Sequence, residues 1–188
     1  TAESTYQHVI EGQTETLGED HPDTLLSMNN LANLLSDIGR LNDAEDMYIR
    51  SLAGQRRTIG EDHEETIGTK YNLGILYHQL NRLDEAEQYC QEAYNNYSSR
   101  FGMQHTNTLT ACFNVAIIKK SKNLWSESEF YYRQTMNGQV LYLGIDHVDT
   151  IRTMISLAEI LHLKSKQPLF SFTSSLIHSL LIFSLSLF

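Results

Sequence analysis

The sequence predicts an all-α fold, a solenoid of stacked antiparallel helix pairs. One motif recurs every 42 residues, as LGEDHPDT at 17–24, IGEDHEET at 59–66, FGMQHTNT at 101–108 and LGIDHVDT at 143–150. Periods of this length are typical of helix pairs that stack into solenoids. Between the motifs, apolar residues step by three and four, which marks one face of a helix. The 188 residues contain only 2 prolines, so little interrupts long helices.

The first helix of each repeat, helix A, follows the motif. It reads LLSMNNLANLLSDIG at 25–39, IGTKYNLGILYHQLN at 67–81 and LTACFNVAIIKKSKN at 109–123. Three of the four motif histidines follow an aspartate, and we expect that residue to be the N-cap of helix A: Asp20, Asp62 and Asp146. Its end is predicted at residues that readily take the left-handed conformation, namely Gly39, Asn81 and Asn123.

The second helix of each repeat, helix B, is predicted to begin three residues after helix A ends. The residue types there suit an N-cap: Asn42, Asp84 and Ser126. Glutamates stand three positions on, the spacing of a capping box: Glu45, Glu87 and Glu129. Such a short link makes the two helices antiparallel neighbours. Small residues mark where they would cross closely: Ala32, Gly74, Ala116 and Ala158 on helix A, and Ala44, Ala86 and Ser128 on helix B.

The period divides the chain into successive units. Residues 1–16 are predicted to be helix B of a repeat whose first helix lies before the sequence, so we expect a fragment of a longer array. Three whole repeats follow at 17–58, 59–100 and 101–142, and 143–163 is helix A of a fourth. Residues 164–188 form an atypical tail rich in Ser, Leu and Phe. Its uncharged part, 169–188, has the length of a membrane anchor. The alternatives are a disordered sequence that was not selected to fold with the repeats, and an atypical capping helix.

The four motif histidines are predicted to be structural rather than metal ligands. His21, His63, His105 and His147 stand at the elbow where helix B turns into the next helix A, and there they can hydrogen-bond the turning chain. Helices pack roughly 8–10 Å apart, too far for equivalent histidines to share metal bonds of ~2 Å. No metal and no cofactor is predicted. Cys90 and Cys112 are expected to be reduced, buried thiols.

Composition and motifs exclude several functions. The net charge of −9 argues against nucleic-acid binding, which needs clustered Lys and Arg. The chain has no GxSxG, HExxH, GxGxxG or GxxxxGK[ST] pattern, and its carboxylates fall at helix caps and on exposed helix faces. The sequence therefore predicts a binding protein rather than an enzyme.

The repeats resemble those of tetratricopeptide-repeat proteins, and more narrowly the 42-residue repeats of kinesin light chains. The residues that carry the resemblance are LGEDHPDT, NNLANL, GRLNDAEDMY and NRLDEAEQY, within about 1–163. It implies a right-handed superhelix and a cytoplasmic, cytoskeleton-associated cargo adaptor in microtubule-based transport. A kinesin heavy chain would be reached only through regions outside this sequence.

The resemblance also implies a concave groove, lined by the A helices, that holds an extended peptide. Asn30, Asn72 and Asn114 recur just before a core residue of helix A, and an amide can grip a peptide backbone. Equally, these amides could bond between helices. The groove positions beside them include Asn33, His78 and Lys120. Kinesin light chains receive acidic, tryptophan-bearing peptides on basic groove residues, and Lys70, Lys120 and His78 would serve here. Lys119–Lys122 could alternatively be a solvated helix end.

Two other functions are open at this stage. Similar repeats occur in nephrocystin-like proteins and beside NTPase domains, so the chain could be a scaffold or sensor segment of a larger signalling protein. If 169–188 anchors the chain, it would be a membrane-tethered adaptor.

Overall fold

A computed structural model describes residues 1–166 of the protein, which form eight α-helices and no strand. The helices are α1 (Ala2–Leu17), α2 (Pro22–Asp37), α3 (Leu41–Thr58), α4 (Glu64–Gln79), α5 (Leu83–Phe101), α6 (Thr106–Ser121), α7 (Trp125–Leu143) and α8 (Val148–Ser165). Even-numbered helices are the predicted A helices and odd-numbered ones the B helices. Each helix packs on the next along the chain, and α4 also touches α2 and α6. The all-α solenoid is thus confirmed.

Residues 167–188 lie outside the part that the structure describes. The predicted anchor or cap at 169–188 and the expected second helix of the fourth repeat fall there. Within 1–166, no helix is both long and apolar enough to cross a membrane.

The elbow from helix B to helix A is capped by the histidine itself. In each elbow the histidine backbone is extended, with φ −67° and ψ 138° at His21. Its Nδ1 accepts the backbone N–H two residues on, for example from Asp23 to His21 at 3.2 Å and from Glu65 to His63 at 3.3 Å. His105 and His147 repeat this bond at 3.2 Å. The four side chains thus satisfy one N–H each that a helix start leaves without a partner.

The predicted aspartate caps are therefore wrong. Asp20, Asp62 and Asp146 lie one residue before the cap, because helix A begins directly after the histidine. Asp20 instead accepts a hydrogen bond from Arg57 Nε at 3.1 Å. The motif's glycine and threonine form a second local bond: at Gly60, φ is +91°, and its carbonyl accepts from Thr66 Oγ1 at 2.7 Å.

The structure confirms the predicted left-handed residues at the turn from helix A to helix B. Gly39, Asn81 and Asn123 have φ of 82°, 59° and 60°. In the first repeat the Arg40 N–H donates to the Leu35 carbonyl at 2.8 Å and the Gly39 N–H to Ser36 at 3.0 Å. This paired pattern is the Schellman motif, which satisfies the last carbonyls of a helix.

The predicted caps of helix B are wrong. Helix B begins at Leu41, Leu83 and Trp125, and its caps, Arg40, Arg82 and Leu124, make no side-chain capping bond. Because the left-handed turn reverses the chain at once, Asn42, Asp84 and Ser126 already lie inside the first turn. The glutamates of the predicted capping boxes point to the following repeat instead, as in the 2.7 Å bond from Arg82 to Glu45.

Close helix crossings occur where the small residues predict them. Ala32, Ala44, Ala86 and Ala116 are 0% exposed. A Cβ added to Gly74 would lie 2.6 Å from Cys90 Sγ, so only glycine fits there. Ala158 is exposed, since the helix expected to cross it would fall outside the described residues. Cys90 and Cys112 are free and buried, and burial raises the pKa of the Cys112 thiol to about 11.

Candidate functional site: a polar groove across the A helices

A polar groove runs across α2, α4 and α6. It encloses a cavity of about 260 Å³. Each of the three A helices contributes one asparagine to its lining, Asn33, Asn72 and Asn114. The remaining lining residues are Ser36, Asp37, Tyr48, Tyr71, Ile75 and Gln79. The structure therefore brings three of the asparagines singled out from the sequence to one place.

Asn30 does not line this cavity, although it is the equivalent of Asn72 one repeat earlier. It is half-buried on α2. Asn72 reaches back across the groove to α2, and the part of the chain described has no A helix before α2 for Asn30 to reach.

The asparagine amides bond between neighbouring A helices through their nitrogens. Asn72 Nδ2 donates to Asn33 Oδ1 at 3.2 Å and to Asn29 Oδ1 at 3.4 Å. Asn114 Nδ2 donates to the Tyr71 hydroxyl and, at 3.1 Å, to the Thr110 carbonyl. The side-chain carbonyls of Asn72 and Asn114 make no hydrogen bond within residues 1–166. The amide nitrogens are thus used structurally, and the carbonyls of these two groove-lining side chains have no partner among the same residues.

Further polar pairs join neighbouring A helices along the same face of the solenoid. Ser36 Oγ donates to Gln79 Oε1 at 3.0 Å between α2 and α4. His78 Nε2 and Ser121 Oγ are 2.9 Å apart between α4 and α6. Lys120 Nζ donates to Glu159 Oε2 at 2.6 Å between α6 and α8. Burial lowers the pKa of His78 below its usual value, which favours its neutral form.

Lys70 is not a groove residue, contrary to the sequence prediction. Its side chain is 6% exposed, and its ammonium lies 2.5 Å from Glu61 and 3.6 Å from Glu92. The hydrogen bond from Lys70 lowers the pKa of Glu61. A lysine held between two carboxylates at the helix A–helix B contact cannot receive an acidic peptide.

The other predicted cations are also paired. Lys120 binds Glu159, Lys119 lies between Glu87 and Glu127, and Lys122 binds Asp84 and Glu87. Asp37, which lines the groove, forms no ion pair among residues 1–166. The groove thus offers neutral amides and a carboxylate rather than the cluster of unpaired cations that the resemblance implies.

Two tyrosines, Tyr48 and Tyr71, line the groove although the sequence did not predict them there. Tyr48 extends from helix B, and its hydroxyl donates to Asn33 Oδ1. Tyr71 stands beside Asn72 on helix A, and its hydroxyl accepts from Asn114. Burial raises the pKa of both phenols. The equivalents of Tyr71 are Asn29 and Phe113, so no periodic signal pointed to this position.

The described residues assemble no metal site. Within 1–166, no three His, Cys, Asp or Glu side chains come together in a way that could hold an ion. Each motif histidine uses Nδ1 for its cap at a separate elbow.

Comparisons with known proteins agree with this architecture. The family model for the tetratricopeptide repeat matches residues 1–57, 36–99 and 65–139. No curated protein matches the chain. Among solved structures, BtubC (BKLC) from P. vanneervenii has a TM-score of 0.79 at 21% identity and covers 87% of this chain. The chain spans 65% of that protein's length.

The chain is also similar in structure to a P. anserina protein of the kinesin light chain type that has nearly identical TPR-like repeats. Its TM-score is 0.77 at 19% identity, with 88% of this chain and 79% of that chain covered. A variant of it gives 0.78 at 18% identity, with 95% and 82% covered. At these identities the likeness concerns the fold.

Proposed function

The chain belongs to the tetratricopeptide repeat family, and from this premise we propose that it is a non-catalytic cargo adaptor segment of the kinesin light chain type. Repeats of this family are protein–protein interaction modules. The finer proposal is that the polar groove holds an extended segment of a cytoplasmic partner protein. The kinesin light chain type of its structural neighbours supports this choice over a generic signalling scaffold.

One observation carries the proposal: the carbonyls of Asn72 and Asn114 remain available while their nitrogens hold the groove together. The hydrogen bonds to Asn33, Asn29 and Thr110 orient both amides. A pre-oriented acceptor loses little freedom when it binds. An extended peptide presents backbone N–H groups at regular intervals, so two acceptors on adjacent helices suit backbone recognition that is tolerant of side chains.

The charges of the groove support a ligand that is not acidic. Lys70 and Lys120 already bind carboxylates, and Asp37 lines the cavity. An acidic peptide would have to displace Glu159 from Lys120 or approach Asp37 without a compensating cation, and like charges at close range disfavour binding. We therefore propose that the partner segment is neutral or basic where it crosses α2 and α4.

Fluorescence anisotropy of labelled peptides titrated with the full chain tests this proposal. The first peptide carries one tryptophan flanked by acidic residues, and the second replaces those acids with Asn and Gln. We expect the neutral peptide to bind at least as tightly as the acidic one. Asn72→Ala should weaken its binding about fivefold, the effect of losing roughly one hydrogen bond of ~1 kcal/mol.

Asn95→Ala is the matched control, because Asn95 is an exposed asparagine on helix α5, outside the groove. It should leave the affinity unchanged. A clear preference for the acidic peptide would contradict the proposed charge of the ligand. If neither peptide binds a chain that is helical by circular dichroism, the peptide-groove function itself is wrong.

A further inference from the structure

A second, more apolar cavity lies between α6, α7 and α8, separate from the polar groove. Its volume is about 320 Å³. Leu109 and Phe113 of α6 form its apolar wall, and Gln139 of α7 and Thr153 of α8 line it too. At its edge, Tyr142 donates to Gln104 at 3.1 Å and Arg152 to Asp149 at 3.0 Å. Tyr142 and Arg152 at the edge are thus already paired.

The preceding junction, between α4, α5 and α6, is filled by the chain's own tyrosine. Tyr97 is 6% exposed there and packs with Ile67, Tyr71 and Ala111. Its hydroxyl reaches to 3.6 Å from the position that a Cβ would take on Gly68. One aromatic ring therefore spans from α5 across the surface of α4.

The cavity occupies the equivalent place one repeat later. The residues 42 positions after Ile67, Tyr71 and Ala111 are Leu109, Phe113 and Thr153, and all three line the cavity. The residue 42 positions after Tyr97 is Gln139. Where the preceding junction has the Tyr97 ring, this junction has the shorter side chain of Gln139.

The Gln139 side chain offers a polar contact inside this apolar space. Gln139 is 7% exposed. Its Oε1 accepts from Thr153 Oγ1 at 2.7 Å, and its Nε2 makes no hydrogen bond within the described part of the chain. This Nε2 is not sealed from water in the free chain. A ligand that covered it without pairing would leave it unsatisfied, which is costly, whereas a ligand that pairs with it avoids this cost. A phenolic hydroxyl both donates and accepts, so it pairs with whichever end of the amide is available.

We propose that this cavity binds the side chain of a tyrosine from a partner peptide, which supplies the ring that Tyr97 supplies in the preceding junction. The inference rests on the proposed peptide-binding function and names one side chain of its ligand. Leu109 and Phe113 contact the ring, and the Gln139 amide pairs with the hydroxyl. The hydroxyl makes the site selective, because binding phenylalanine would leave the buried amide unpaired.

Side-chain analogues test the cavity without any peptide. p-Cresol carries the tyrosine side chain and toluene that of phenylalanine. Each is titrated into the full chain and followed by methyl NMR of the leucines. We expect p-cresol to shift the Leu109 methyls and to bind about fivefold more tightly than toluene, the ratio that one net hydrogen bond gives.

Two variants of Gln139 sharpen the test. Gln139→Leu removes the amide, and it should abolish the preference for p-cresol over toluene. Gln139→Tyr should fill the cavity with the chain's own ring, as Tyr97 does, and abolish p-cresol binding while the chain keeps its helical circular dichroism. If Gln139→Tyr does not fold, the Gln139→Leu comparison still decides the role of the amide.

Several outcomes would overturn the inference. p-Cresol shifts that avoid Leu109, or that persist in a folded Gln139→Tyr variant, would place the binding elsewhere. Equal binding of toluene would remove the assignment to tyrosine. If p-cresol binds but neither peptide does, the proposed peptide-binding function is wrong, and a partner peptide is not the source of the ring. If a peptide binds but p-cresol does not, only the proposed role of the cavity is wrong.

Discussion

His63 shows how one side chain sets the geometry of an elbow. Its backbone is extended, with φ −68° and ψ 144°, and its Nδ1 caps the N–H of Glu65. The preceding Gly60 has a positive φ that favours glycine, and Thr66 closes the turn on the Gly60 carbonyl. The histidine, glycine and threonine of the motif thus each have a local structural role that needs no ligand.

Substituting the cap tests this role. His63→Ala removes the acceptor at the start of α4, and we expect it to lower the free energy of unfolding by ~1 kcal/mol, the usual loss for a helix cap. His63→Asn keeps a capping acceptor and should restore most of this stability. Urea unfolding followed by circular dichroism measures both. An equal loss in the two variants would mean that the imidazole does more than cap the helix.

At the scale of helices, ion pairs join each helix B to the repeat that follows. A glutamate near the start of each B helix binds a cation of the next repeat, in the pairs Glu3–Arg40, Glu45–Arg82, Glu87–Lys122 and Glu129–Lys164. Glu87 also binds Lys119 at 2.7 Å. Burial by itself would raise the pKa of Glu87, but its hydrogen bonds from Lys119 and Lys122 lower it overall. These contacts tie the stacked repeats together along one side.

Removing the glutamate that binds two lysines, Glu87, tests the strength of this link. Glu87→Gln should destabilise the chain by about 2 kcal/mol, between the values typical of exposed and of buried pairs, because Lys119 is only 10% exposed and keeps Glu127 alone. Thermal unfolding measures the loss. The matched control is Glu19→Gln, whose pair with Arg50 is 57% and 49% exposed and should contribute less than ~1 kcal/mol.

The pairing of Glu87 with Lys119 and Lys122 predicts that the free energy of unfolding depends on pH. The folded pKa of Glu87 lies below its ordinary value of 4.5, so the unfolded chain takes up a proton first as the pH falls. The stability that Glu87 contributes is therefore complete above pH 4.5 and decreases as the pH falls through the folded pKa. The difference between the parent chain and Glu87→Gln should shrink in that window. A constant difference would contradict the assigned pairing.

Over the whole molecule, stability is distributed along a line of neighbouring repeats. Helices contact their neighbours in the solenoid, so each helix depends on local packing. No residue of α1 is buried, whereas α4 buries residues against both α5 and the adjacent A helices. Opening of the chain should therefore begin at α1 and reach α4 last.

A matched pair of glycine substitutions tests this distribution by hydrogen exchange. Gly12 in α1 has nothing within 4 Å of an added Cβ, so Gly12→Ala should stabilise that helix by ~0.5–1 kcal/mol and slow exchange in α1 alone. Gly74→Ala forces a Cβ to 3.0 Å from the Cys90 backbone nitrogen and should accelerate exchange in α4 and α5. Slower exchange in α5 caused by Gly12→Ala would contradict the linear arrangement.

The features that depend on contacts close along the chain could be predicted from the sequence. The 42-residue period, the left-handed turns at Gly39 and Asn81, and the small residues at the helix crossings were all predictable, because each repeats and each acts within one helix pair. The asparagines of the groove followed from the same period. The predicted caps were wrong because the histidine after each aspartate caps helix A, and because the left-handed turn starts helix B before the predicted cap residues.

Charge pairing and space filling around the groove and the cavity emerged only with the folded structure. It paired Lys70 with Glu61 and Glu92 and Lys120 with Glu159, and so removed the cations that a basic groove needs. It also left a cavity where Gln139 replaces the ring that Tyr97 provides one repeat earlier. Charge pairing and space filling depend on which side chains of different elements meet, and these side chains meet only once the helices have packed.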